Sequence, residues 1–429
     1  MWMRVKRRAA LTAALLLFVW QSAAIAAEDT LSLDALIEEA LSNSREARMS
    51  GVRSAGAGYR AAQESSLPDP MFMVGYQNEG YDRYTYGEMP DAQWMFSASQ
   101  MVPYPGKRAL KGNMAAKEAE SLRAMQDSAR LDVAREVKER YYDLFFAHKG
   151  IALIEEKKGL FLSIENAAGA RYLSGMAPQQ EAIMAQTEKY MLIERQEMLR
   201  QRVEAGEAML NRAVGRQIGS PLGRPAEPKE NELSMQVVYP LNDAIKNAVE
   251  NSPEIKAKRK MVEAAEFKLA MAKREYYPDF TFTGSLFKRG GEFDDMWSLT
   301  ASVNVPIFYK TKQRSAVLEA EEGLREARLD LEGAELMVAS SVRDNYSMAL
   351  AASRLMAIYK DSLMPKTRQS YEAGLAGYAS GKVELMALIR SLASLLDYEI
   401  LYWGQFAEMK KAEARIEALM GSQIPGGAK

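Results

Sequence analysis

The chain has 429 residues, of which 56 are Lys or Arg, 57 are Asp or Glu, one is His and none is Cys. A formal net charge of −1 excludes the basic surface of a nucleic-acid-binding protein. The absence of Cys excludes disulfides and thiolate metal sites, and the lone His148 excludes histidine-based triads and metal centres. Because the chain also lacks a glycine-rich phosphate loop, the sequence argues against an enzyme.

The first 26 residues predict a secretory signal peptide. Basic residues at positions 4–8 precede an apolar run over 9–20, and Ala24-Ile25-Ala26 is a small-residue cleavage site. A membrane anchor is the alternative, but this run is short for a span. Without Cys we expect no lipid anchor. No later apolar run is long enough for a transmembrane helix, so entry into a membrane would require β-strands.

Residues 27–214 predict a first set of elements. In chain order these are a helix over 31–66, strands over 71–80 and 92–102, a helix from 107 to about 172, a turn, and a return helix over 178–214. Apolar residues at three- and four-residue steps indicate the helices, and alternation indicates the strands. At about 1.5 Å per residue the longest helix spans ~100 Å, and it needs packing partners along its length.

The same set is predicted again over 240–421, after an irregular Pro- and Gly-rich linker over 215–239. Pro365 should kink or interrupt the second long helix near its far end, and residues 422–429 are predicted to be a disordered tail. Three segments recur in order and at nearly constant spacing, which indicates a tandem duplication. Residues 33–44 recur as 241–252, 94–103 as 297–306, and 172–175 as 378–381. The elements of the second set are a helix over 240–275, strands over 279–288 and 296–305, a long helix over 309–371 and a return helix over 380–420.

The predicted strands alternate apolar and polar side chains over about ten residues, which suits a tilted membrane β-strand. Trp94 and Trp297 stand at equivalent positions, and we interpret them as membrane-interface aromatics. A sheet of a soluble protein, with one face packed on a core and the other exposed to solvent, is the alternative. Methionines also fall in or beside the strands, where they fill irregular space or offer soft thioethers to Cu(I) or Ag(I). These methionines are Met71, Met73, Met95 and Met101.

Four strands cannot close a membrane barrel, because bacterial single-chain barrels begin at about eight strands and an open edge cannot face lipid. We therefore expect a homotrimer, in which three chains form a 12-strand barrel. The long helices would form a hollow coiled-coil barrel continuous with it. The expected fold class is mainly α with membrane β, built from an internal duplication.

At this point the residues resemble the TolC family of outer-membrane efflux channels, over nearly the whole mature chain. Gln100-Met-Val-Pro-Tyr-Pro-Gly-Lys-Arg108 resembles the family's strand-to-helix motif. Tyr378-Ala-Ser-Gly-Lys-Val-Glu384 resembles the turn of members that serve cation-exporting pumps. The first-half turn is Arg171-Tyr-Leu-Ser-Gly175, followed by Glu181.

The resemblance implies a passive exit duct in the outer membrane, with its helical barrel in the periplasm and no catalysis, cofactor or resident metal. The helix tips would dock a periplasmic adaptor that is joined to an inner-membrane pump of the RND type. Metal cations are the expected cargo. Drug efflux and type I protein secretion are the alternatives, and a soluble periplasmic coiled-coil adaptor is the rival class. The implied docking residues are Arg171, Tyr172, Ser174, Gly175, Pro178, Tyr378, Ser380, Gly381, Lys382 and Val383.

One position departs from the family pattern. Relatives often carry an acid in the run after the second turn, whereas Arg390 stands there in this chain. Glu181 and Glu384 remain acidic. We expect these three residues to line the periplasmic aperture, either as an acidic constriction or as an alternating Glu/Arg ring. A solvated helix face is the alternative.

Overall fold

The computed structural model describes residues 30–235 and 240–421. The predicted signal peptide, the last four residues of the predicted linker and the predicted tail lie outside the described residues. The described part is mostly helical, with one small antiparallel sheet.

The elements follow the same order twice. The first half holds α1 (Leu33–Asn43), α2 (Arg45–Ser65), β1 (Met71–Gln77), β2 (Gln93–Val102), α3 (Lys107–Leu173) and α4 (Gln179–Val214). The second half holds α5 (Leu241–Asn251), α6 (Pro253–Arg274), β3 (Asp279–Arg289), β4 (Met296–Asn304), α7 (Lys312–Ile358), α8 (Met364–Ala379) and α9 (Leu385–Met420). A short 3₁₀ helix, Glu230–Leu233, lies between the halves. The predicted strand over 71–80 ends earlier, at Gln77, and the other strand limits differ by one residue at most.

The predictions of single helices over 31–66 and 240–275 were wrong. Each is two helices, because Ser44 and Ser252 leave the helical region, with ψ of 128° and 126°. Pro253 explains the second break, since a residue before proline avoids the helical conformation. Ser44 adopts the same backbone without a following proline, so its break could not be read from local sequence.

The predicted interruption at Pro365 is confirmed. A π-helical turn, Tyr359–Leu363, separates α7 from α8, and the N–H of Met364 bonds the carbonyl of Tyr359. Proline has no N–H and its ring crowds the carbonyl four residues earlier, so the regular ladder cannot pass through this position. By contrast α3 runs without a break for 67 residues.

The sheet has the order β1-β2-β3-β4, with every neighbouring pair antiparallel. Phe72 of β1 lies opposite Ala98 of β2, and Ala98 lies opposite Gly284 of β3. This register gathers most large apolar side chains on one face, and it places Ser, Thr and Met, together with Phe287, on the other. The apolar face carries Phe72, Val74, Tyr76, Trp94, Phe96, Val102, Phe280, Phe282, Leu286, Trp297, Leu299 and Val303.

The chain divides into two compact units, and each draws on both sequence halves. One unit comprises 45–133, 240–346 and 415–421, and contains the sheet and a core around Ile255, Val342 and Ile416. The other comprises 30–44, 134–235 and 347–414. Its cores include residues of α3, α4, α8 and α9. The predicted repeat limits at 27–214 and 240–421 stay a prediction.

The described part of the linker lies against helices of its own unit. Arg216 donates to both carboxylate oxygens of Glu39, and Lys149 bonds Glu227 at 2.8 Å. The Tyr141 hydroxyl accepts from the N–H of Ala226 at 3.0 Å. These contacts order a segment whose composition predicted only irregular structure.

No helix within the described ranges combines the length and the apolar character needed to cross a bilayer.

Candidate functional site: the helical turns and the strand-to-helix joint

The turn between α3 and α4 is closed by a glycine in the left-handed region. Gly175 has φ of +72°, and its N–H bonds the carbonyl of Tyr172 at 3.0 Å. The N–H of Met176 bonds the carbonyl of Arg171 at 2.8 Å. This pair of bonds is the Schellman motif, which satisfies the last carbonyls of a helix.

The turn between α8 and α9 has the same geometry. Gly381 has φ of +73°, and its N–H bonds the carbonyl of Tyr378 at 3.1 Å. The N–H of Lys382 bonds the carbonyl of Gly377 at 2.8 Å. No other atom would crowd a side chain at either glycine, so the backbone conformation alone requires glycine there.

The two turns expose different chemistry. The first presents apolar side chains, with Leu173 85% and Met176 71% exposed beside Tyr172. The second presents Ser380, Gly381 and Lys382. Of the other predicted docking residues, Ser174, Gly175 and Pro178 are exposed and Val383 is half-buried.

Arg171 and Tyr378 join the two turns to each other. Arg171 donates to the backbone carbonyl of Tyr378 at 2.7 Å, and its guanidinium lies 4.6 Å from the centre of the Tyr378 ring. The Tyr378 hydroxyl donates to Oε2 of Glu181 at 3.3 Å. Tyr378 is only 4% exposed. Burial, and next the charge of Glu181, raise the pKa of Tyr378. We call Arg171, Tyr378 and Glu181 the hairpin bridge.

Arg390 and Glu384 lie outside this bridge. Both side chains are exposed, and neither forms an ion pair or a side-chain hydrogen bond within the described part of the chain. Leu388, Ile389 and Leu392 on the same helix are buried, so Arg390 stands on the opposite, open face of α9. The predicted role of Glu181, Glu384 and Arg390 at an aperture stays a prediction.

Ion pairs behind the turns were missed by the sequence analysis. Lys157, 7% exposed, lies 3.2 Å from Glu399, which Arg368 also approaches at 3.6 Å. Lys189 bonds Glu165 at 2.8 Å. The Lys157 and Glu399 partners are more than two hundred residues apart in sequence, so no local pattern indicates that pair.

The family-like segment 100–108 forms a joint between the two halves of the sheet unit. Lys107 is 6% exposed, and its Nζ lies 3.0 Å from Asp279, 3.3 Å from Glu275 and 2.9 Å from the carbonyl of Tyr277. The N–H of Tyr104 donates to Asp279 at 2.8 Å, and its ring stacks on Tyr277 at 4.6 Å. These contacts explain why Lys follows Gly in this motif: the buried amine pairs with the half-buried carboxylate of Asp279.

The tryptophans lie at the same end of the sheet and on its apolar face. Trp94 is opposite Tyr76 and Lys288, with its ring 5.1 Å from that of Tyr76. Trp297 is opposite Leu286 and 72% exposed. Their role at a membrane interface stays a prediction.

Comparison with known proteins agrees with this geometry. Residues 244–422 match the model of the outer membrane efflux protein family. The cobalt-zinc-cadmium resistance protein CzcC of Cupriavidus metallidurans is 22% identical over 338 residues, which are 76% of this chain and 77% of that protein.

Solved structures share the fold over nine-tenths of the chain. The outer membrane protein VceC of Vibrio cholerae has a TM-score of 0.76 at 16% identity, covering 91% of this chain and 96% of that one. CusC, described with its transmembrane channel formation, has a TM-score of 0.80 at 13% identity, covering 91% and 92%. The family match lies in the second half, and the first half repeats its order of elements. The second half of the chain therefore matches the outer membrane efflux protein family, and about nine-tenths of the chain shares the fold of the solved VceC and CusC structures.

Proposed function

We propose that three copies of this efflux protein form one exit duct in the outer membrane, with a closed 12-strand barrel. The observation that carries the proposal is the four-stranded sheet, which has one apolar face and two unpaired edges, β1 and β4, within the described residues. Unpaired backbone groups cannot face lipid, so the edges must pair with other copies. Three sheets of four strands give a barrel in the range of known outer-membrane proteins.

The duct carries cargo passively. It receives that cargo from an inner-membrane transporter of the RND type through a periplasmic adaptor, and the adaptor docks at the two turns. Support comes from their exposure: the first turn presents Leu173 and Met176, and the second presents small residues and Lys382. Small residues let a partner's helix tip approach closely. Arg171 and Tyr378 would contribute by holding the two turns at a fixed spacing rather than by direct contact.

Metal cations are the proposed cargo. Support comes from the relative named for cobalt, zinc and cadmium resistance and from the polar face of the sheet, which would line the barrel. Met71 and Met73 lie on that face opposite Ser99 and Ser97, and Met95 and Met101 share it. A deletion strain should lose resistance to metals and keep resistance to drugs and detergents. The reverse pattern would favour drug efflux, and a secretion defect alone would favour type I protein secretion.

The chain would reach the outer membrane through cleavage of residues 1–26, and without Cys it would carry no thioether-linked lipid. A protease site inserted beside Tyr81, which is fully exposed in the β1–β2 loop, should be cut on intact cells. This result would place the β1–β2 loop outside the cell and the helices in the periplasm. Cutting only after the outer membrane is permeabilised would reverse that orientation.

The central experiment measures the mass of the detergent-extracted protein and its conductance in planar bilayers. We expect a particle of three chains and ion conduction. A monomer that keeps its strand content, or a protein that leaves cells in buffer without detergent, would overturn the duct and favour a soluble adaptor.

A further inference from the structure

The two hairpins of the sheet are copies of each other in register. Met71 of β1 lies opposite Ser99 of β2, and Thr281 of β3 lies opposite Ser302 of β4. Residues of the first strand therefore correspond between the two hairpins at a sequence offset of 210 (281 − 71). Residues of the second strand correspond at an offset of 203 (302 − 99). The same offsets relate Gln77 and Gln93 to Phe287 and Met296, which are also opposite each other. The offset of 203 also relates the recurring segments 94–103 and 297–306.

One contact between hairpins is visible within the chain. The second strand of the first hairpin pairs with the first strand of the second, with Ser99 opposite Thr283 and Gln100 opposite Phe282. The remaining edges are of the same two kinds, since β4 is a second strand and β1 is a first strand. A ring of six like hairpins needs this one contact at every seam.

We propose that β4 of one copy pairs with β1 of the next in the register of the β2–β3 seam; this rests on the three-copy duct proposed above. Applying the two offsets places Ser302 opposite Met73 of the next copy and Ala301 opposite Val74 of the next copy. Val303 then faces Phe72, and Leu299 faces Tyr76, again of the next copy.

The side-chain pattern supports this register independently. Val303 and Leu299 lie on the apolar face of the sheet, and so do Phe72 and Tyr76. The pairing therefore continues the apolar face across the seam, and it sets Ser302 and Met73 together on the polar face. A slip by one residue would set every apolar side chain of β4 beside a polar-face neighbour.

The segment leading into each first strand points to the same partner. Pro278-Asp279 stands at the start of β3, and Pro68-Asp69 stands 210 residues earlier, just before β1. Asp279 binds the turn that follows β2, accepting from the N–H of Tyr104 and from Lys107. Asp69 is exposed, with no side-chain partner in the described part of the chain. In the copy whose β4 would lie beside this β1, Lys310 stands in the turn after β4 and Lys312 begins α7. These two lysines supply the cation that Asp69 lacks.

Cysteine pairs test the register directly, because the chain has no Cys of its own. The double variants are Ser302→Cys with Met73→Cys, and Ala301→Cys with Val74→Cys. Of two successive opposite pairs in an antiparallel ladder, one is the close type with Cα atoms about 4.5 Å apart, which a disulfide spans. Within one chain β1 and β4 are three strand spacings apart, roughly 14 Å, so any bond joins two copies.

The expected result after oxidation in membranes is a covalent trimer from at least one of these variants. Matched controls carry Ser302→Cys with Val74→Cys, whose side chains point to opposite faces, and Ser302→Cys with Met71→Cys, which tests a shift by two residues. Both controls should stay monomeric on a denaturing gel. Stronger cross-linking in a control, or none in either test pair while a trimer persists in mild detergent, would overturn the register. Absence of a trimer from the parent protein would instead remove the proposed function.

Discussion

The hairpin bridge makes a quantitative prediction about opening of the helical tip. An aperture formed by these hairpins can widen only if they move apart, and contacts that join them oppose that motion. Arg171→Met removes the 2.7 Å bond to the Tyr378 carbonyl and the contact with its ring. Tyr378→Phe removes only the 3.3 Å bond to Glu181 and leaves the ring under Arg171.

The two changes should differ in size. A hydrogen bond from a charged group contributes about 1.5–3 kcal/mol and a cation–π pair about 0.5–1 kcal/mol. Arg171 is half-buried, so water replaces part of both interactions in the variant. We therefore expect Arg171→Met to reduce the free energy that keeps the tip closed by about 2 kcal/mol, which is roughly thirty-fold in the opening equilibrium. Because the bond to Glu181 is longer, we expect Tyr378→Phe to reduce the same free energy by about 1 kcal/mol, which is roughly five-fold in the opening equilibrium.

Single-channel recording in planar bilayers measures the opening equilibrium without an adaptor. The ratio of open to closed time should rise most in Arg171→Met and less in Tyr378→Phe. Tyr172→Phe is the matched control, because it removes a neighbouring hydroxyl that has no hydrogen-bond partner within the described residues. Equal open times in all four proteins, with a lower melting temperature in Arg171→Met, would show that the bridge stabilises the hairpins without gating.

Three further predictions concern the joint, the aperture and the turns. Lys107→Met should destabilise the sheet unit by about 2 kcal/mol, because it leaves the partly buried Asp279 without its cation. Lys111→Met should cost clearly less, since its pair with Glu64 lies at the surface; thermal unfolding of the detergent-solubilised protein measures both, and equal effects would contradict the account. Arg390→Ala should raise conductance and Glu181→Gln should lower preference for cations, and unchanged reversal potentials and currents would mean that these charges are solvated surface. Gly381→Val should abolish efflux while Gly381→Asn preserves it, since Asn tolerates the left-handed region and a β-branched residue does not; normal adaptor cross-linking in an inactive Gly381→Val variant would show that the turn does not dock the adaptor.

Much of the architecture follows from patterns within short windows of sequence. The helix-strand order and the interruption at Pro365 each depend on residues a few positions apart, and the duplication is seen where such short segments recur in the same order. Strand alternation also identified the two faces of the sheet, because side chains alternate along any strand whatever its partner. The helix break at Ser44 was not predicted. Its backbone conformation matches that of Ser252, but no proline follows Ser44 to indicate the break.

Only the tertiary structure decided which distant residues meet. Arg171 and Tyr378 are 207 residues apart along the chain, and Lys107 and Tyr277 are 170 apart. The sequence predicted Arg171 and Tyr378 as exposed docking residues. It identified Lys107 as part of a family-like motif but gave no physical reason for a lysine there. Local propensity depends on neighbours in the chain, whereas the pairing of a charge depends on the folding of remote segments onto each other. Sequence therefore determined the elements and their repetition, and packing determined which charges are bound and which, like that of Arg390, have no partner among the described residues.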